Sequence, residues 1–290
     1  MRTPTASDYS ERTLTSNRFA RLALLALAVL PSVALAEPGG SEWYISWGYN
    51  RDFWAPGDIH VSQPALQNDF TVHHVKASDF PQGVWGNDIT VPQFNLRFGW
   101  FLERQHEWAI EFSVDHTKYN TDIGQTARVT GIVAGQPVDD DHVLTADYFN
   151  YRLHNGANHI MFSLVKRTPL LGDLNSSGSL SLLLKGGAGI MLPHAESTIM
   201  GNQSDVGPKK WGNLVGRDSG WWQVNGWTVG GEVALRLMTF RPVFLELSDK
   251  VAYAKLYNVP VYQGRADQIL WMNAVVVALG VNLNDRNDGP

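Results

Sequence analysis

The stretch Gln93-Phe94-Asn95-Leu96-Arg97-Phe98-Gly99-Trp100-Phe101-Leu102 sorts its residues by parity. Phe94, Leu96, Phe98, Trp100 and Leu102 fall on one side of an extended chain, and Gln93, Asn95, Arg97, Gly99 and Phe101 on the other. After the turn 103–106 the stretch Glu107–Asp115 repeats the scheme, with Trp108, Ile110, Phe112 and Val114 set against Ala109, Glu111, Ser113 and Asp115. Successive side chains of a strand point to opposite faces. Period two sustained this long predicts two neighbouring strands.

Working outward, the same alternation recurs over 42–50, 158–166, 179–190, 226–237 and 243–252. The last apolar segment, 268–283, is apolar on both faces, so its facing stays open. That makes eight strands. The connections 103–106, 167–178 and 238–242 are short, whereas 51–92, 116–157, 191–225 and 253–267 are mostly long. Short periplasmic turns alternating with long external loops are the mark of a barrel in the outer membrane. The apolar face of the strands is nearly free of charge. The other carries Arg97, Glu111, Asp115, Lys185, Glu232, Arg236, Glu246 and Lys250. The expected fold is all-β, a closed antiparallel eight-stranded transmembrane β-barrel with its charges in the lumen. An eight-stranded barrel is just wide enough for side chains to fill, and four cations against four anions read as a plug of ion pairs rather than a pore.

The front of the chain supports export. Arg18 and Arg21 precede an apolar run from Leu22 to Leu30 that leads into Ala34-Leu35-Ala36. This describes a signal peptide over 1–36, leaving a barrel over 37–284 and a polar tail over 285–290. The leader carries four arginines against Asp8 and Glu11, so its removal takes the formal net charge from −5 to −7. A mildly acidic surface argues against nucleic acid as partner. The chain has no cysteine, so no disulfide holds it, and a metal would need His or carboxylate ligands. Eleven tryptophans and 27 glycines suit a barrel with interfacial aromatic belts. No segment after the leader is long and apolar enough for a transmembrane helix.

This pattern resembles the small eight-stranded outer-membrane barrels of the OmpA-like and opacity-protein superfamily, over residues 42–50 and 93–283. The segment Asp58–Asp79, DIHVSQPALQNDFTVHHVKASD, together with Glu232–Met238 and Leu245–Lys250, resembles an uncharacterised family of bacterial outer-membrane barrel proteins. The resemblance implies a fold and a place in the cell envelope of a Gram-negative bacterium, and no activity. Such barrels often end on an aromatic residue; here a polar tail follows Leu283, so the assembly signal is expected to be internal or weakened.

Two constellations are candidates for chemistry. Asp58, His60, His73, His74 and His116 fall in or beside the first two external connections, with further Asp residues at 69, 79 and 139–141. Imidazole with carboxylate is a metal-ligand set, although no HExxH-like spacing sharpens it. In the lumen, Asp115 and His159 are expected on adjacent strands, with Ser113 and Ser163 nearby. Asp, His and Ser together support acyl transfer. The resemblance adds that small outer-membrane barrels include lipid A deacylases and acyltransferases. The His-x-Ser that marks the 3-O-deacylases is absent from the late strand, where 246–250 reads ELSDK. Trp211, Trp221 and Trp222, with Lys209, Lys210 and Arg217, are read as an external girdle facing lipopolysaccharide. The segment 69–76, DFTVHHVK, has the composition of a short strand beyond the membrane.

The leading expectation is a non-enzymatic surface barrel, structural or binding through its external loops, surrounded by outer-membrane lipid and lipopolysaccharide and without a cofactor. The alternatives are an outer-membrane enzyme acting on lipid A or phospholipid acyl chains, and a soluble periplasmic barrel that binds a small apolar ligand.

Overall fold

The structure is a computed structural model and describes residues 42–79, 93–102, 107–174, 176–204 and 223–283. The leader, the polar tail, His106 and the tryptophan- and lysine-bearing part of the third connection lie outside these residues.

Eight strands form a ring: β1 Glu42–Trp54, β2 Phe94–Phe101, β3 Trp108–His116, β4 Ala157–Leu171, β5 Leu180–Pro193, β6 Gly226–Phe240, β7 Val243–Val261 and β8 Gly264–Asn282. Each pairs antiparallel with the next. β8 then returns to β1, from Tyr44↔Asn282 to Trp54↔Met272, and closes the barrel. Along these strands the parity rule holds. Trp47, Phe162 and Trp271 point outward at 59%, 63% and 53% exposure, while Arg97, Glu111 and Arg236 point inward and are buried. The facing of β8 is now fixed: Leu270, Met272, Ala274, Val276 and Ala278 look into the lumen, and Ile269, Trp271, Val275, Val277 and Leu279 look out.

At the end that carries the termini and the short turns, an apolar floor of Tyr44, Phe101, Ala109, Val165, Leu183, Ala234, Met238 and Phe244 closes the lumen. Two glycines make room for it. A Cβ on Gly99 would lie 2.0 Å from Cζ of Tyr44, and one on Gly280 would lie 2.1 Å from Cζ of Phe244. Each ring lies flat over a strand that has no side chain there, and this close approach is why glycine occupies both positions. The guanidinium of Arg236 sits 4.1 Å from the Tyr44 ring centre and 4.0 Å from that of Phe244; that of Arg167 sits 3.8 Å from Phe101.

The far end departs from the expectation of long loops. The segment 253–267 is not a loop: β7 and β8 run on to Val261 and Gly264 and are joined through Tyr262-Gln263 alone. Beyond the point where β1 leaves it, the edge of β8 pairs with the strand Gly57–Gln63. Asn68–Val75, Thr126–Val133 and Gln136–Val143 follow in turn, each antiparallel to the last. The strand expected within 69–76 is therefore real and extends the sheet beyond the ring. Inward side chains of this external sheet, Ile59, Val61, Phe70, Val72, Ala127 and Val129, meet Leu144, Phe149, Tyr151, Leu153 and Ile199 from the connections and Leu256, Val259 and Leu270 from the barrel. All of these are buried. The external connections thus build a hydrophobic core of their own above the lumen.

Candidate functional site

The lumen is the first place to look. Arg97 pairs with Asp115, with Glu232 at 3.3 Å and with Glu111 at 3.7 Å. Lys185 lies 2.6 Å from Glu246, 3.1 Å from Glu232 and 3.2 Å from Glu111. Arg236 holds Glu246 at 2.7 Å, and Lys250 pairs with Asp115. Tyr44 donates to Glu111 at 2.6 Å. Every one of these ions is buried. Two features escape the sequence count of four against four. Arg167 pairs with Glu42 at 3.2 Å near the floor, and Asp52, two residues past the expected end of the first strand, also turns inward and is buried. The continuing alternation Gly48, Asn50, Asp52 is the signal that would have found it.

The register sets Asp115 directly opposite His159, with Asn95 on its other side. Yet Asp115 is bonded by Arg97 and Lys250, and the His159 ring meets Thr228 Oγ1 through Nδ1 at 3.0 Å. Nε2 of His159 is buried without a partner. Ser113 faces Arg97 and Met161 across its two neighbours, and Ser163 faces Glu111 and Gly187. The carboxylate, the imidazole and a serine are neighbours in the wall but are not linked in the hydrogen-bonded order that activates a nucleophile.

The external histidines lie on the outward face of the external sheet. His60 Nε2 is 2.7 Å from Asp69, and His73 bridges Asp58 at 3.0 Å and Thr130 at 2.8 Å. The backbone N–H of His74 donates to Asp58 at 2.8 Å, while its ring is exposed. His116 stands apart at the top of β3, stacked on Phe94 with ring centres 5.1 Å apart and bonded to Asn158 at 2.7 Å. Among the described residues no three His, Asp or Glu side chains converge into a group able to hold a metal ion. Arg128 and Asp139 continue the polar face with a contact at 2.7 Å.

Partial burial opposes ionisation of the Asp58 carboxyl, but the His74 N–H and the His73 ring more than offset it and hold Asp58 below the usual carboxylate range. A carboxyl whose value is lowered by folding stabilises the folded form above its unfolded value near ~4, and loses that contribution as pH falls through the lowered value. The His74 amide should therefore gain hydrogen-exchange rate on acidification below about pH 4. Asp58→Asn should remove that pH dependence. Unchanged acid sensitivity in Asp58→Asn would place the titrating group elsewhere.

A closed ring with an apolar outside and a charged inside is built for lipid, because only a closed barrel satisfies its backbone there with strands. Solved structures of several outer membrane proteins are similar to this chain. The outer membrane protein AlkL in lipid bilayers is 12% identical, with 84% of this chain and 91% of AlkL covered and a TM-score of 0.36. The outer membrane protein OprG from Pseudomonas aeruginosa is 12% identical over 84% of this chain and 97% of its own, with a TM-score of 0.36. This chain is a closed antiparallel eight-stranded β-barrel. The attachment invasion locus protein Ail of Yersinia pestis, solved with the heparin analogue sucrose octasulfate, is 12% identical over 84% and 99% of the two chains, with a TM-score of 0.31. At such identities and TM-scores the likeness assigns no function. No protein-family model matches this barrel, and no curated protein matches it.

Proposed function

We propose that this barrel is a non-enzymatic surface protein that binds a partner through its external sheet, with lipopolysaccharide around the outer rim of its wall. The observation that carries this reading is the external sheet itself. Four strands that continue the sheet one after another from the edge of β8, with a buried apolar core beneath them, make a rigid platform out of what would otherwise be loops. Binding residues accumulate on surfaces positioned by a rigid scaffold. The platform presents a polar face of Asp58, His60, Asp69, His73, Arg128 and Asp139. The lumen below it is occupied by ion pairs, which favours a closed plug over a conduit.

The hairpin Thr126–Val143 can be removed for a test, because Gln125 and Leu144 already meet through a backbone hydrogen bond of 2.8 Å. Cells carrying the intact protein should bind components of a glycan and extracellular-matrix array that cells without it do not. Joining Gln125 to Leu144 through a short Gly-Ser turn should abolish that binding while the barrel keeps its heat-modifiable migration. A lipid A or phospholipid acyl pattern that changes with the protein and reverts in His159→Ala would overturn the non-enzymatic reading. Binding that survives loss of the hairpin would move the surface elsewhere.

A further inference from the structure

We propose that two copies of this chain pair inside the membrane through the outward face of β7, β8 and β1, with Asp249 of each copy turned to Arg51 of the other. This goes beyond binding at the external sheet and rests on the ring lying in lipid. The starting point is a carboxyl on the outer face of the wall. Ser248 and Lys250 face the lumen and are buried, so Asp249 between them faces outward and is exposed. Its neighbours in register are Val233 on β6 and Val275 on β8, and Leu247 and Val251 flank it on the outer face of its own strand. Asn273 Nδ2 donates to Asp249 Oδ1 at 2.6 Å, and among the described residues no Lys or Arg pairs with this carboxylate.

Depth is the first observation. Aromatic rings mark both edges of the outer apolar band. Trp43 stacks on Trp100 near the end of the short turns, and Trp227, Tyr253 and Trp271 cluster near the other end, with ring centres 5.4 and 4.9 Å apart. On β7, Tyr253 stands four residues above Asp249, and the strand begins six residues below it at Val243. At ~3.4 Å per residue and a tilt of ~40°, each residue climbs about 2.6 Å, which puts Asp249 near the middle of a band ~25 Å tall. Outward lysines keep to the edges of the band: Lys166 lies over the Trp108 ring, and Lys255 lies beyond Tyr253. Between the aromatic edges, the charges at the described outward positions of the ring strands are Asp249 and Arg51 alone. Ionisable groups inside a bilayer are costly and are kept where another group meets them.

The place of Arg51 is the second observation. Val275 pairs with Asp249 on one side and with Arg51 on the other. Opposite charges thus flank one valine, in a single row across three strands. The Arg51 guanidinium holds Asp79 through Nε at 2.8 Å and Nη2 at 3.1 Å, while 28% of its side-chain surface stays exposed. A guanidinium has five donors and can serve two carboxylates. A twofold axis through Val275 reverses the strand order in the second copy, which sets β7 of one copy against β1 of the other. Two equal ion pairs then close around an apolar centre of Val275 and Val277. Strand tilt sets Arg51 about 6 Å above Asp249, within reach of an extended arginine side chain. A self-complementary patch is what a twofold dimer needs, and polar groups set in a flat apolar surface are what hold membrane segments together.

The chain has no cysteine, so single cysteines report contacts between copies cleanly. The test uses the full chain folded in phosphatidylcholine vesicles at a low ratio of protein to lipid, oxidised with copper phenanthroline. Val277→Cys, beside the axis, should be recovered mostly as a disulfide-linked dimer. Phe162→Cys, outward on β4 across the ring, should stay monomeric. Adding Asp249→Val to Val277→Cys should lower the linked fraction by about fivefold or more, whereas Asp249→Glu should preserve it. Asp249→Val places an apolar side chain in an apolar band, so the ring should still fold, as heat-modifiable migration would show. Equal linking of Val277→Cys and Phe162→Cys, or linking that Asp249→Val leaves unchanged, overturns the interface. A chain that inserts but does not link through Val277→Cys overturns it as well. A chain that never enters the vesicles overturns the membrane reading of the ring, and the interface with it.

Discussion

Lys185→Met should destabilise the barrel by about 3–5 kcal/mol, the range for breaking a buried ion pair by removing one partner. Lys185 has three carboxylates between 2.6 and 3.2 Å of its ammonium, as many partners as Arg97 has. Methionine fills nearly the same volume, so the loss is electrostatic rather than a cavity. The three carboxylates are not left equally exposed. Glu246 keeps Arg236 at 2.7 Å, and Glu232 keeps Arg97 at 3.3 Å. Glu111 keeps only the Tyr44 hydroxyl at 2.6 Å and a long contact to Arg97 at 3.7 Å. A second change, Glu111→Gln, should therefore restore most of the lost stability, whereas Glu246→Gln should restore little because it strips Arg236 of its partner. Urea unfolding in lipid vesicles, followed by tryptophan fluorescence, measures all three. A loss below about 1 kcal/mol for Lys185→Met, the size seen for exposed pairs, would mean that water reaches the network and that the lumen is open.

The belt and the plug were legible in the sequence because lipid and lumen make opposite demands on alternate residues. Trp47, Phe98 and Phe162 must meet hydrocarbon, and Arg97, Glu111 and Lys185 cannot. β8 resisted that logic for a physical reason. Its lumenal residues stand beside the longest side chains of β7: Ala274 faces Lys250, Ala278 faces Glu246 and Gly280 faces Phe244. Small apolar residues are what fit there, and they look like the lipid face. Asp52 was missed because the first strand was ended where its apolar face ran out, although the backbone pairs on to Trp54.

The external sheet was half legible. The composition of 69–76 announced a strand, but not the strands it joins. The hairpin Thr126–Val143 turns on Ala134-Gly135, both at positive φ (49° and 76°), a two-residue turn of the kind that matches strand twist. Its flanking residues carry only weak alternation, because Gln136–Val143 is mostly exposed. Asp115 and His159 show the opposite limit. Strand register made their adjacency readable, but which way each side chain turns depends on Arg97, Lys250 and Thr228, which are distant in sequence.

Phe70→Ala should unfold the external sheet and leave the barrel standing. Phe70 is 1% exposed and packs edge-on against Phe149, with ring centres 6.4 Å apart, in the middle of the external core. Truncating a buried phenylalanine costs about 3–5 kcal/mol, a large share of what one layer of four short strands over a single apolar core can supply. The barrel draws on other sources: a closed hydrogen-bonded ring, a lipid-facing belt, and a separate floor around Tyr44, Phe101 and Phe244. Limited proteolysis of Phe70→Ala in vesicles should cut between residues 57 and 143 at a rate the wild type does not show. The protected remainder should still migrate as a folded barrel until boiled, and Val72→Ala should act in the same direction with a smaller effect. If heat-modifiable migration is lost together with protease resistance, the sheet and the ring fold as one unit. The external platform would then be part of what holds β7 and β8 in register, and a variant lacking its hairpin would report on folding rather than on binding.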